Sequence, residues 1–165
     1  NHSISKQQLK QMRLERAKAL QSTKIMAAPD EGILIKFLDS LNISFISQLA
    51  IGNYNVDIAI PPVAVEVHDA TNHPLRTSFI LKRIKYLRNR GWFVLYVYTR
   101  RGDFPITING AKKIRSLVEV AKSSPSLWGK CRVIWGSGQD APLNRFYRNQ
   151  HTGKMTPESL LNAAR

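Results

Sequence analysis

The sequence predicts an α/β fold, a mixed β-sheet flanked by helices. Residues 45–67 read as three short strands separated by tight turns. Residues 74–90 then switch to helical spacing, and residues 92–99 (WFVLYVYT) form a nearly continuous apolar run. A meander followed by a helical crossover into a strand that is apolar on both sides implies a sheet covered by helices.

The elements follow in order. Residues 1–27 are polar and basic, with Lys6, Lys10, Arg13, Arg16, Lys18 and Lys24 against the single acid Glu15. They read as a basic helical arm suited to a phosphate backbone, or as a frayed terminus. Pro29, Asp30 and Glu31 mark a helix start, because proline and acids suit a first turn. Ile33, Leu34, Phe37, Leu38 and Leu41 then recur at helical spacing, which gives this helix an apolar face. Strands are expected at 45–49, 54–60 and 63–67, with Pro61-Pro62 at a turn. Phe79, Ile80, Arg83, Ile84 and Leu87 set the next helix, and Gly91 is its stop signal. After the apolar strand, residues 110–122 read as a helix and 131–135 as a last short strand. Residues 28–138 are thus the expected core domain, and 139–165 a mostly polar tail with a short helix at 157–164.

Charge sets the class of partner. The 165-residue chain carries a net charge of +14, with a sequence pI near 10.4. That excess of Lys and Arg is the footprint of a nucleic-acid binder, and a hydrophobic fraction of 43% excludes wholesale disorder. The cations Arg76, Lys82, Arg83, Lys85, Arg88, Arg100, Arg101, Lys112 and Lys113, with Lys10, Arg13 and Arg16 of the arm, are the candidate phosphate contacts. The lone cysteine, Cys131, excludes a disulfide framework and a cysteine-based zinc site, and it makes a reducing compartment the expectation. No apolar run is long enough to span a membrane. The chain opens on Asn1, so a longer parent chain is expected.

Residues 56–73 (VDIAIPPVAVEVHDATNH) set Asp57, Glu66, His68, Asp69 and His73 in or beside strands that read as buried. Antiparallel pairing brings Asp57 and Glu66 near one another, and Glu31 starts the preceding helix close to the same end. Oxygen ligands clustered in this way suit a hard divalent ion such as Mg²⁺. A neighbouring histidine can take a proton from water or protonate a leaving oxygen. Each residue also has a simpler reading: Asp57 as a strand end, His68 and Asp69 as turn residues, Glu31 as a helix-dipole acid. A buried Glu66 is the hardest to explain without a partner.

The same residues resemble the PD-(D/E)xK nuclease core. Within that superfamily they are similar to the very-short-patch-repair-like branch, which includes phage homing endonucleases of the EDxHD type. Glu31, Asp57, Glu66 with its following turn, and His73 stand at that pattern's helix acid, strand acid, third-strand position and histidine. RIKYLRNRGWFVLYVY (83–98) matches the later helix and strand, and the resemblance spans residues 28–138. It implies a Mg²⁺-dependent DNA endonuclease. Asp57 would bind metal with Glu66 or the backbone carbonyl of Val67, and Glu31 would position metal or water. His73 would be the general acid or base, assisted by His68 and Asp69. Two departures stand out: His68 occupies the place of the usual lysine, and no acid lies between Pro74 and Gly91. VDIAI and VAVEV also resemble the RAP domain, which implies a catalytically silent RNA-binding module or an organellar ribosome component. DNA is therefore the expected partner and RNA the alternative, with a homodimer compatible with either. The expected place is the cytoplasm or nucleoid, or an organelle matrix on the second resemblance.

Overall fold

The computed structural model describes residues 5–22, 28–69, 77–100 and 102–141. The elements are α1 (Lys6–Ser22), α2 (Pro29–Ser40), β1 (Ile46–Ile51), β2 (Tyr54–Ile60), β3 (Val63–Asp69), α3 (Thr77–Arg88), β4 (Phe93–Thr99), α4 (Ile108–Ser123) and β5 (Cys131–Trp135). The five strands form one sheet in sequence order. β1, β2 and β3 pair antiparallel, whereas β3, β4 and β5 pair parallel. The mixed α/β sheet with flanking helices is the fold the sequence predicts. The tail from residue 142 onward lies outside the described residues.

Strand alternation sorts the core into two layers. Val63, Val65, Phe93, Leu95 and Val97 face Leu34 and Leu38 of α2 and Ile114, Leu117 and Val118 of α4. Ala64, Val94 and Tyr96 face Ile84 and Leu87 of α3. β4 is thus covered on both sides, as its uninterrupted apolar sequence requires. Gly91, with φ +84°, sits just past α3, in the backbone region where a side chain is strained.

The basic N-terminal helix is not a loose arm. Ala17 of α1 is buried, and its carbonyl accepts from the Asn55 side-chain amide at 2.7 Å. The same amide nitrogen donates to the Gln48 carbonyl at 2.9 Å, so Asn55 ties α1 to β1 and β2. Lys10, Arg13 and Arg16 remain exposed on α1.

At the other end of the sheet, the first turn of α4 lies directly on the turn after β5. A Cβ on Gly110 would stand 2.0 Å from the Gly136 carbonyl oxygen. Alanine gains up to about 1 kcal/mol of helix propensity over glycine. Overpacking against backbone that cannot swing aside costs about 1–3 kcal/mol or more. Gly110→Ala is therefore expected to lower stability in urea denaturation; an increase would show that this helix–turn contact is slack.

Candidate active site

The β2–β3 ladder ends with the pair Ile58↔Val65. One step further, Asp57 and Glu66 stand opposite each other. The ladder opens there because Asp57 intervenes: its Oδ2 accepts the Val67 backbone N–H at 2.8 Å. On its other side Asp57 faces Gln48, bracketed by the pairs Ser47↔Ile58 and Leu49↔Val56. Gln48 has φ +52°, the left-handed region, in the middle of a strand. For a non-glycine residue that conformation costs about 1–2 kcal/mol. Side-chain alternation is broken at the same place: Val56 packs on the α3 side although Ile58, two residues on, packs on the other.

Gln48 uses this conformation to reach the acids. Its Nε2 donates to Glu31 Oε1 at 3.1 Å, and its side chain also hydrogen-bonds to Asp57. Glu31, in the first turn of α2, is 5% exposed although it is a carboxylate. Glu66 is equally buried at 5% and meets Arg83 of α3, with Nη2 to Oε2 at 2.7 Å. The same Nη2 lies 3.6 Å from Asp57 Oδ1 and donates to the Asn55 carbonyl. Two carboxylates, from β2 and β3, therefore meet one guanidinium, and Glu31 of α2 joins the cluster through Gln48. Fully ionised, the three acids leave two negative charges unbalanced.

Their proton affinities reflect that excess. Burial pushes the Glu66 carboxyl well above the usual range; Arg83 offsets part of this, and Asp57 and Glu31 add to it. Asp57 is raised by burial, against the pull of Arg83 and the Val67 N–H. Glu31 is raised by burial and then by the charge of Asp57. Tyr96, beside Glu66 in the β3–β4 register, is pushed well up by burial and by the two acids. Three buried polar atoms here have no hydrogen-bond partner among the described residues: Glu66 Oε1, the Tyr96 hydroxyl and Arg83 Nε. Such orphaned groups are costly in a folded interior unless something further binds there.

The remaining sequence candidates fall as follows. His68 shares the Glu66 face, with its ring 5.9 Å from both Tyr96 and Tyr98. Asp69 ends β3, and the Thr99 hydroxyl donates to Asp30 and lies 3.2 Å from the His68 carbonyl. His73, Arg76 and Arg101 lie outside the described residues. Among the described residues no group of three His, Cys, Asp or Glu side chains closes into a metal-ready set. Arg83 stands among the acids instead. There its contact with Glu66 gives its charge a partner inside the fold. Arg88 also turns inward, donating to the Gly129 carbonyl at 2.7 Å. Lys82, Lys85 and Lys112 are exposed and Lys113 is half-buried, while exposed Arg100 lies 3.5 Å from Asp103. The Cys131 thiol, pushed up to about 12 by burial, offers no thiolate nucleophile at neutral pH.

Gln48, Asn55 and Tyr96 are site residues that sequence reasoning missed. Arg83 carried a signal that was open to reading. It falls on the stripe of Ile80, Ile84 and Leu87, where a lone cation must find an acid in the sheet beneath.

Among solved structures the chain is similar to the Homing Endonuclease I-Bth0305I Catalytic Domain, with a TM-score of 0.38 and 14% identity over 61% of this chain and 94% of that one. No protein-family model and no curated protein matches the chain.

Because the folded state holds protons on Asp57 and Glu66 more tightly than the unfolded chain, folding takes up protons above the ordinary carboxylate pKa. Stability therefore falls as pH rises from there through the raised values. Replacing Arg83 with Met removes the attraction that opposes burial and extends that fall upward in pH. Arg83→Met is expected to lose about 3–5 kcal/mol at pH 8, the scale for orphaning a buried charge, and clearly less at pH 5. Equal losses at both pH values would mean that Arg83 contributes packing rather than charge.

Proposed function

We propose that this chain is a divalent-cation-dependent DNA endonuclease domain of the PD-(D/E)xK kind. The observation that carries the reading is the convergence of buried Glu31 and Glu66 with half-buried Asp57, from three different elements, in a chain of net charge +14. Acids buried with raised proton affinity are destabilising, so a fold that keeps three of them together needs another source of positive charge or a use for their strain.

The donor set suits Mg²⁺. All the candidate ligands are oxygens, the cluster has negative charge in excess, and Glu66 Oε1 and the Tyr96 hydroxyl have no partner among the described residues. Asp57 and Glu66 would hold the ion, with the Val67 carbonyl beside them, and Glu31 would orient water. When bound, Mg²⁺ would supply charge stabilisation at the phosphate and lower the pKa of water. The protein's own contribution is positioning. The Val67 N–H fixes one oxygen of Asp57, Gln48 restrains Glu31, and the sheet and α3 exclude water from the Glu66 side. His68 is the nearest described histidine to this face, and His73 is the sequence candidate for moving the proton. Exposed cations on α1, α3 and α4 would hold the strand through its phosphates.

One observation favours a second reading. Arg83 already neutralises part of the acid cluster, at 2.7 Å from Glu66. A catalytically silent nucleic-acid-binding module, RNA-binding as in the RAP resemblance, would retain such a pair for stability alone.

Supercoiled plasmid and total RNA, each with Mg²⁺ or EDTA, separate these readings. The wild type is expected to nick DNA only with Mg²⁺. Asp57→Asn should lower the rate by about two orders of magnitude or more, the several kcal/mol of lost charge stabilisation at the phosphate. Binding should survive that substitution and weaken steeply with salt. Tight, salt-sensitive binding without cleavage of either substrate would sink the nuclease reading in favour of the silent module.

A further inference from the structure

We propose that Arg83 is a built-in counter-ion that holds the cation site in the absence of metal and is displaced when a divalent cation binds. The inference rests on the cation site of the proposed nuclease and specifies how that site is filled.

The geometry points to exchange rather than to a fixed structural pair. A single nitrogen, Nη2, serves Glu66, Asp57 and the Asn55 carbonyl together, while buried Nε has no partner among the described residues. A guanidinium settled permanently against carboxylates ordinarily uses its two-pronged face. Glu66 likewise commits only Oε2 and leaves Oε1 buried and unpartnered. The Tyr96 hydroxyl, in a residue that is 7% exposed, sits beside it without a partner. One unit charge thus meets Asp57 and Glu66, with Glu31 joined to the cluster through Gln48, and satisfies them incompletely. A divalent cation carries the charge that Arg83 lacks, and it accepts several oxygens at once.

Exchange also assigns a role to the guanidinium once released. Arg83 lies on α3 between exposed Lys82 and exposed Lys85. Freed from Glu66, it would add its charge to the surface that holds the phosphate. The cation site and the strand site would then be filled together.

Two measurements test this without relying on cleavage. The first follows the Arg83 Nε–H resonance of wild-type protein by NMR during a Mg²⁺ titration, with the signal assigned by its loss in Arg83→Lys. Displacement predicts a saturable shift of that signal, at the concentration where Mg²⁺ raises the thermal midpoint. The second compares Mn²⁺ affinity by electron paramagnetic resonance in wild type, Arg83→Lys and Arg83→Met. Removing a competing unit charge at this distance should tighten Mn²⁺ binding about tenfold or more in Arg83→Met. Arg83→Lys, which keeps the charge, should stay near wild type, and Mg²⁺ should stabilise Arg83→Met more than wild type. Binding that is unchanged or weaker in Arg83→Met, or Mg²⁺ binding with a static Nε signal, overturns the exchange. Neither result touches the nuclease reading, which is decided by plasmid cleavage. Absence of Mn²⁺ and Mg²⁺ binding by wild type overturns the exchange as well.

Discussion

The contact between Arg83 and Glu66 is the constraint on which the rest of this structure turns. Glu66 lies in the middle sheet strand, on the face that α3 covers, where an unpaired carboxylate would be expelled or protonated. Arg83 reaches it because α3 crosses that face with Ile80, Ile84 and Leu87 packed down on the sheet. The apolar stripe fixes the height of the helix, and the height of the helix delivers the guanidinium. A buried ion pair of this kind is weak evidence for stability, since desolvation consumes much of the Coulombic gain. On the proposed reading, its persistence beside two further carboxylates reflects what the cluster would bind rather than what it adds to folding.

The opening of the sheet belongs to the same arrangement. A continuous β2–β3 ladder would have used the Val67 N–H for backbone pairing. Asp57 takes that N–H instead, which holds the carboxylate at the sheet's edge of order and leaves room between the strands. Opposite Asp57, Gln48 holds a left-handed backbone that no turn demands. Strain of this size persists only where neighbours enforce it. Here the enforcing contacts are the bond from Gln48 Nε2 to Glu31 and the bond from Asn55 Nδ2 to the Gln48 carbonyl. The Asn55 backbone carbonyl in turn accepts from Arg83 while its side chain holds α1, so the basic helix and the acid cluster share one residue.

The sheet is legible in the sequence because short apolar and β-branched runs are bounded by turn residues such as Pro61-Pro62 and Gly91. The antiparallel hairpin made the proximity of Asp57 and Glu66 readable too, since two residues equidistant from a tight turn must face each other. What stayed hidden depended on tertiary docking. Tyr96 joins the cluster only because β4 pairs parallel to β3 in the register Glu66↔Tyr96, which nothing in either strand's own sequence fixes. Gln48 was invisible because a left-handed residue inside a strand has no local signal. Arg83 reads as one more surface cation when charge alone is counted. Its place on the apolar stripe argued for burial.

The two electrostatic features of the chain oppose each other, and the opposition constrains any mechanism. Exposed Lys10, Arg13, Arg16, Lys82, Lys85 and Lys112 attract a polyanion, while the acid cluster repels the phosphate that would have to approach it. On the proposed reading, a strand held only by surface cations would sit with its phosphate away from Asp57 and Glu66. Adding positive charge to the cluster removes that repulsion, so cation and strand must favour each other's binding. By linkage the gain is the same in both directions. A silent module has no such requirement: Arg83 would keep the cluster as it is, and strand affinity would respond to divalent ions only through screening. The sign of that coupling is thus a consequence of where the acids sit, independent of whether a bond is broken.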